Sequence, residues 1–72
     1  MSPAPLFKQV ADALADRIAA GNLIPGNPIP SETAIQMEYR VAPWTARAAV
    51  AELRKRGLVI TLPEGRTFVR QD

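Results

Sequence analysis

The chain has 72 residues, which leaves room for one domain with a small hydrophobic core. Apolar residues make up 47% of the chain and charged residues 22%, a balance that is typical of a folded protein and excludes wholesale disorder. Cysteine and histidine are absent, which excludes disulfides, thiolate zinc sites and catalytic relays built on either residue. We therefore expect a single domain over residues 1–72 that is not an enzyme, with no catalytic residue, metal or cofactor.

The sequence contains no membrane or export signal. No run approaches the roughly 20 apolar residues that a membrane-spanning helix needs. The Met-Ser-Pro-Ala start lacks the basic and apolar regions of a signal peptide. We expect a cytoplasmic protein that does not contact a membrane.

The charges are unevenly distributed along the chain. Residues 1–39 carry a net charge of −2, whereas residues 40–71 carry +5. A basic half indicates a polyanionic partner, but a solvated basic surface explains the charge equally well. The predicted fold is needed to distinguish a polyanion-binding surface from a solvated basic one.

The first predicted helix covers about residues 5–20. Apolar residues recur there at intervals of three and four, at Leu6, Phe7, Val10, Leu14 and Ile18. Gly21-Asn22 ends the helix, and the prolines and glycine between residues 24 and 30 prevent another from starting. We predict an ordered loop with a short extended piece at Ile29.

Two more helices follow. Ser31 has the residue type of an N-cap and must cap alone, because Ala34 stands where a capping box needs Glu or Gln; this predicts a helix over about 32–39. After a turn at residues 40–42, Pro43 suits a first helical position and predicts a helix over about 43–56, which Gly57 ends. Its apolar stripe consists of Ala46, Ala49, Val50 and Leu53.

The remaining chain predicts a β-hairpin over about 58–70. Residues 58–62 are β-branched or apolar, residues 63–65 are typical of a turn, and residues 66–70 alternate between polar and apolar. Phe68 and Val69 must lie on opposite faces, and we expect Phe68 in the core. The fold class is thus mainly α with a small hairpin: a winged helix-turn-helix, whose third helix would be the recognition helix.

The outer face of that helix carries the first candidate contacts with DNA. Trp44, opposite the apolar stripe, is interpreted as a DNA contact, with a core position as the alternative. Arg47 can bind either a guanine edge or a phosphate. Thr45 can contact a phosphate or a thymine methyl group; the alternative is that Thr45 is an ordinary surface residue. In the hairpin, Gly65 lets the tip bend and Arg66 could enter a minor groove, the alternative being a solvated arginine.

Four segments resemble the N-terminal domain of the GntR family. They are Ile29-Pro30-Ser31-Glu32, Val41-Ala42-Pro43-Trp44-Thr45-Ala46-Arg47, Glu52-Leu53-Arg54-Lys55-Arg56-Gly57-Leu58-Val59 and Gly65-Arg66-Thr67-Phe68-Val69. The resemblance covers about residues 5–70 and implies a prokaryotic regulator, usually a repressor, that binds a palindromic operator in double-stranded DNA as a homodimer. It places Thr45, Arg47 and Gly65 at positions of family DNA contacts.

The sequence departs from the family pattern at four positions. Thr33 and Pro43 replace arginines, Ala42 replaces a capping serine, and Arg66 replaces the second wing glycine. Arg40 in the turn and Arg66 in the wing are expected to restore positive charge nearby. The candidate DNA-binding residues are Ser31, Thr33, Arg40, Pro43, Trp44, Thr45, Arg47, Gly65 and Arg66.

Two questions stay open at this point. Family members usually continue into a domain that binds a metabolite and dimerises, so the chain is either a small stand-alone regulator or an isolated domain, and we expect no effector site within it. A winged helix that binds proteins rather than DNA is the alternative function, with Trp44 as its anchor.

Overall fold

A computed structural model describes residues 3–71; Met1, Ser2 and Asp72, and with them part of the N-terminal start discussed above, lie outside the described residues. Helices α1 (Leu6–Ala19), α2 (Glu32–Tyr39) and α3 (Pro43–Lys55) precede strands β1 (Val59–Thr61) and β2 (Thr67–Val69), which pair antiparallel. The predicted fold class, three helices and a hairpin, is confirmed. Within the described range, no helix is long and apolar enough to cross a membrane.

Helix α1 packs mainly on α3. Its fully buried residues are Val10, Ala11 and Leu14. Leu6, which the apolar stripe includes, is instead 53% exposed, because it opens the helix one turn ahead of Val10. Small Ala11 is completely buried, since a close approach of two helices favours a short side chain.

Helix α2 begins and ends at the residues that the sequence indicates, and α3 ends one residue before the expected Arg56. The Ser31 hydroxyl accepts a hydrogen bond of 3.1 Å from the backbone N–H of Ala34, which is the single cap that we expected. In α3 the predicted stripe is buried, and Gly57 follows the helix with φ +77°. That left-handed conformation suits glycine and ends the helix.

The hairpin register decides which of its side chains enter the core. Val59 lies opposite Val69, and both are 3% exposed; Ile60 lies opposite Phe68 on the other face, where Ile60 is 46% exposed. The expectation that Phe68 is a core residue is therefore wrong. Alternation along β2 turns Val69 inward and leaves Phe68 half-buried on the outer face.

The proline-rich loop before α2 lies against the second edge of β2. The N–H of Gly26 donates to the carbonyl of Val69 (2.8 Å), the N–H of Val69 to Asn27 (2.8 Å) and the N–H of Ile29 to Thr67 (3.0 Å). Pro28 forms a bridge with Phe68. The extended piece expected at Ile29 is thus present, and β2 is flanked by main chain on both sides.

Arg56 ties α3 to α1. Its guanidinium lies 2.8 Å from a carboxylate oxygen of Asp12 and 2.9 Å from one of Glu52. The hydrogen bond to Glu52, then the one to Asp12, raises the pKa of Arg56 above its usual value. This arginine is engaged within the fold, so it contributes structure more than free positive charge.

Candidate DNA-binding surface

The N-terminus of α3 presents its outer face to solvent. Ala42, the N-cap, is extended (φ −67°, ψ 157°) and supplies no side-chain cap, and Pro43 occupies the first turn as predicted. Trp44 is 68% exposed, whereas Ala46 two residues later is completely buried. The core alternative for Trp44 is therefore wrong, and its indole is open to a partner.

Thr45, the next residue of α3, is turned about 100° around the helix from Trp44. Only 3% of its surface is exposed, so the alternative of an ordinary surface residue is also wrong. A contact between Thr45 and DNA would use the small exposed part of this side chain. The exposed side chains in the first two turns of α3 thus include Pro43, Trp44 and Arg47.

Arg47 reaches from α3 toward the start of α2. Its Nε lies 3.7 Å from Oε1 of Glu32, with 74% of the arginine side chain and 45% of the glutamate side chain exposed. At this distance and exposure the ion pair is weak and can be exchanged for a stronger anion such as a phosphate. The sequence gives no sign that Glu32 faces Arg47.

A cleft of about 390 Å³ separates the start of α2 from the wing. Ser31 and Thr33 line it from one side and Gly65 and Arg66 from the other. Four of the predicted contact residues, distant in sequence, are thereby brought to one place. The remaining lining residues are Pro28, Ile29, Pro30, Glu32, Val50 and Thr67.

The wing tip is shaped by Gly65 and carries Arg66. Gly65 has φ +107°, which side-chain-bearing residues rarely adopt, and the space around it is open. The Nε of Arg66 lies 2.6 Å from Oε1 of Glu64, and its guanidinium carbon lies 5.3 Å from the centre of the Phe68 ring. The ring and the carboxylate hold the guanidinium near the tip while leaving the side chain 69% exposed.

Arg40 forms the turn between α2 and α3. It adopts φ 55° and ψ 52°, a left-handed conformation that is costly for arginine, and its backbone N–H donates to the carbonyl of Gln36. The residue is exposed and stands three residues before Pro43. It lies in the turn that leads into α3, whose first residue is Pro43 rather than the arginine of the family pattern.

The candidate surface carries acidic as well as basic side chains. Arg47 and Arg66 each face a carboxylate, from Glu32 and Glu64 respectively. The pairing of Glu64 with Arg66 could be predicted from the sequence, because the two residues are only two positions apart. The pairing of Glu32 with Arg47 depends on how the two helices cross and could not. Throughout residues 3–71, acidic side chains do not gather in threes as a metal site requires.

A short helix joined by a tight turn to a longer one, followed by a hairpin, defines a winged helix-turn-helix of the DNA-binding type. Residues 6–69 match the family described as bacterial regulatory proteins, gntR family. The chain belongs to this family. The family consists of regulatory proteins, in agreement with the prediction that the chain is not an enzyme.

Relatives and solved structures agree with this assignment. The chain is 33% identical over its full length to the mannosyl-D-glycerate transport/metabolism system repressor MngR of Escherichia coli, and 34% identical over 68 residues to the transcriptional repressor NagR of Bacillus subtilis. It spans only 30% and 28% of the lengths of these two proteins. Its fold superposes on the DNA-binding domain of AraR, solved in complex with operator ORR3, with a TM-score of 0.83 and 28% identity, covering 96% of this chain and 90% of that one.

Proposed function

We propose that this chain reads DNA for a transcription repressor that occupies a palindromic operator as a homodimer. The observation that carries the proposal is the cleft between α2 and the wing, around which Ser31, Thr33, Gly65 and Arg66 assemble. Helix α3 would enter the major groove, with Arg47 at a base edge or phosphate and Trp44 at the base edges. The operator complex of AraR and the repressor names of the relatives support this role.

The remaining candidate contacts have separate roles in the proposal. Arg40 and Arg66 supply cations for phosphates, or in the case of Arg66 for a narrow minor groove. Ser31 and Thr33 approach the backbone from the start of α2, and Pro43 and Thr45 help to shape the surface around Trp44. Two such domains would contact half-sites about 34 Å apart, one helical turn of DNA.

Partner use and location follow from this role. We propose that no small-molecule effector binds within residues 3–71, and that the cleft between α2 and the wing is covered by bound DNA. A protein that works on the chromosome acts where the chromosome lies, and we propose the cytoplasm, at the nucleoid.

The test is selection from a pool of random-sequence duplexes at two salt concentrations. We expect an enriched palindromic sequence. We also expect a plot of log affinity against log salt concentration to have a negative slope of several units. Arg47→Ala should lower affinity for the enriched duplex by about 1–3 kcal/mol. Arg56→Ala is the matched control. The wild-type Arg56 guanidinium is engaged by Asp12 and Glu52 within the fold, so this variant should select the same sequence as the wild type.

Other outcomes would redirect the proposal. Steep salt dependence without enrichment would reduce the function to nonspecific binding by the basic half. No binding at low salt would favour the second candidate, a protein-binding winged helix. That candidate is favoured by two exposed apolar side chains, Trp44 at 68% and Met37 at 76%.

A further inference from the structure

The outer face of α3 carries an apolar row formed by Trp44, Ala48 and Ala51. These residues stand four and three positions apart, so at 3.6 residues per turn they lie along one side of the helix. Trp44 and Ala51 are exposed and Ala48 is partly exposed. Pro43, just before the row, brings neither a side-chain donor nor a backbone N–H.

This row is poorly suited to reading bases by hydrogen bonds. Its only polar group is the indole N–H of Trp44, which can donate but not accept. The nearby guanidinium of Arg47 leans toward Glu32 at 3.7 Å, on the flank of the row. A large exposed aromatic surface therefore occupies the end of α3 that a recognition helix directs at base edges.

The major groove offers one apolar group at its base edges, the C5 methyl of thymine. We infer that Trp44 is a specificity-determining residue that selects a thymine in each half-site by packing its indole on that methyl group. The inference rests on the proposed function and specifies the base that this part of the surface prefers. The alanines of the row let the helix approach closely enough for the contact.

The test compares thymine with deoxyuridine, which lacks only the methyl group. In the duplex most enriched by the wild-type protein, each thymine is replaced in turn by deoxyuridine. At one thymine per half-site we expect wild-type affinity to fall about fourfold, the effect of losing one buried methyl-sized group. Trp44→Ala should bind the thymine and deoxyuridine duplexes equally.

The matched control is Met37→Ala, which removes another exposed apolar side chain, one that lies on α2. It should keep the wild-type preference for thymine at the same position. If Trp44→Ala binds too weakly to measure, Trp44→Leu decides, because its smaller apolar side chain should retain part of the preference. Trp44→Arg should shift the selected base from thymine toward guanine, whose O6 and N7 accept from arginine.

Fluorescence gives a readout independent of affinity. Trp44 is the only tryptophan of the chain, so its emission reports on this one side chain. Quenching by acrylamide should be strong in the free protein and reduced in the complex with the enriched duplex. A structural role for Trp44 would leave quenching unchanged on binding.

The outcomes separate the inference from the proposed function. An enriched duplex whose thymines all tolerate deoxyuridine, or equal methyl dependence in wild type and Trp44→Ala, would overturn the inference and leave the DNA-binding function intact. Absence of any enriched sequence would overturn both, and is recognised at the selection step before any base is replaced.

Discussion

Arg47 of the recognition helix faces Glu32 at the start of α2, with 3.7 Å between Nε and Oε1. The pair links the two helices of the helix-turn-helix at the surface where a DNA phosphate would lie. Because both side chains are exposed to solvent, at 74% and 45%, the attraction itself contributes little to stability. If Arg47 contacts DNA as proposed, the larger consequence of the pair is that the Glu32 carboxylate competes with DNA for the arginine.

We therefore predict that Glu32→Gln changes stability and affinity in opposite directions. Removing a carboxylate from the first turn of α2 should cost about 0.3–1 kcal/mol of unfolding free energy, through lost interaction with the helix dipole. Affinity for the selected duplex should rise, since Arg47 is released and a charge that repels phosphates is gone. Urea unfolding and fluorescence anisotropy with a labelled duplex measure the two quantities; weaker binding would indicate that Glu32 itself accepts from a base.

The helix caps give a paired prediction. Ser31→Ala removes the hydrogen bond to the N–H of Ala34 and should cost about 1 kcal/mol. Ala42→Ser supplies the missing cap of α3, where the backbone is already extended, and should stabilise by about 0.5–1 kcal/mol. Thermal unfolding of both variants checks the signs; equal effects of the same sign would contradict the assigned caps.

Replacing Arg40 should change stability through the backbone and DNA affinity through the charge. Its φ of 55° is left-handed, so Arg40→Gly should relieve strain and raise stability by roughly 0.5–1 kcal/mol, net of the larger chain entropy of glycine. The same change removes a cation from the proposed interface and should lower the slope of logarithmic affinity against logarithmic salt by about 0.9. Arg40→Lys is the control that keeps both the strain and the charge.

Arg66 and Arg56 should behave differently although both pair with carboxylates. Arg66→Ala removes an exposed cation at the wing tip and should lower the salt slope by about 0.9 with little change in melting temperature. Arg56→Ala should leave the slope unchanged and lower the melting temperature, because Asp12 and Glu52 lose their common partner. A slope change of similar size in both would show that charge acts at long range rather than by contact.

The hairpin register predicts that truncating the smaller Val59 costs more unfolding free energy than truncating the larger Ile60. Val59→Ala should cost about 2 kcal/mol, since this side chain is 3% exposed, whereas Ile60→Ala, although it removes more atoms, should cost less than about 1 kcal/mol at 46% exposure. Denaturant unfolding of the two variants measures the difference. A greater cost at Ile60 would mean that the register is shifted by one residue.

The sequence predicts the structure correctly where the conformational preferences of neighbouring residues determine it. Ser31, Pro43 and Gly57 mark helix ends by their own conformational preferences, and the stripe of α3 follows from helical periodicity alone. It was a poor guide where packing decides. Alternation in β2 shows that Phe68 and Val69 face opposite ways, but only the pairing of Val69 with Val59 shows which one is inside.

The candidate site divides in the same way. The exposure of Trp44 follows from its angle on α3 relative to the buried stripe. The burial of Thr45 does not, because it lies at the edge of that stripe, and its exposure depends on how closely the neighbouring elements pack. The pairing of Glu32 with Arg47 joins residues 15 positions apart on two helices, so no local pattern could reveal it.

The hydrogen bonds between residues 26–29 and β2 also have a consequence for synthesis of the protein. On the ribosome, the three helices emerge before the strand that both β1 and the proline-rich loop require. Until Val69 has left the exit tunnel, the loop lacks its main-chain partners and Val59 lacks its opposite neighbour. The contacts of β1 and of the loop with β2 can therefore form only after β2 has been synthesised and has left the tunnel, and until then Val59 lacks the neighbour that covers it in the fold.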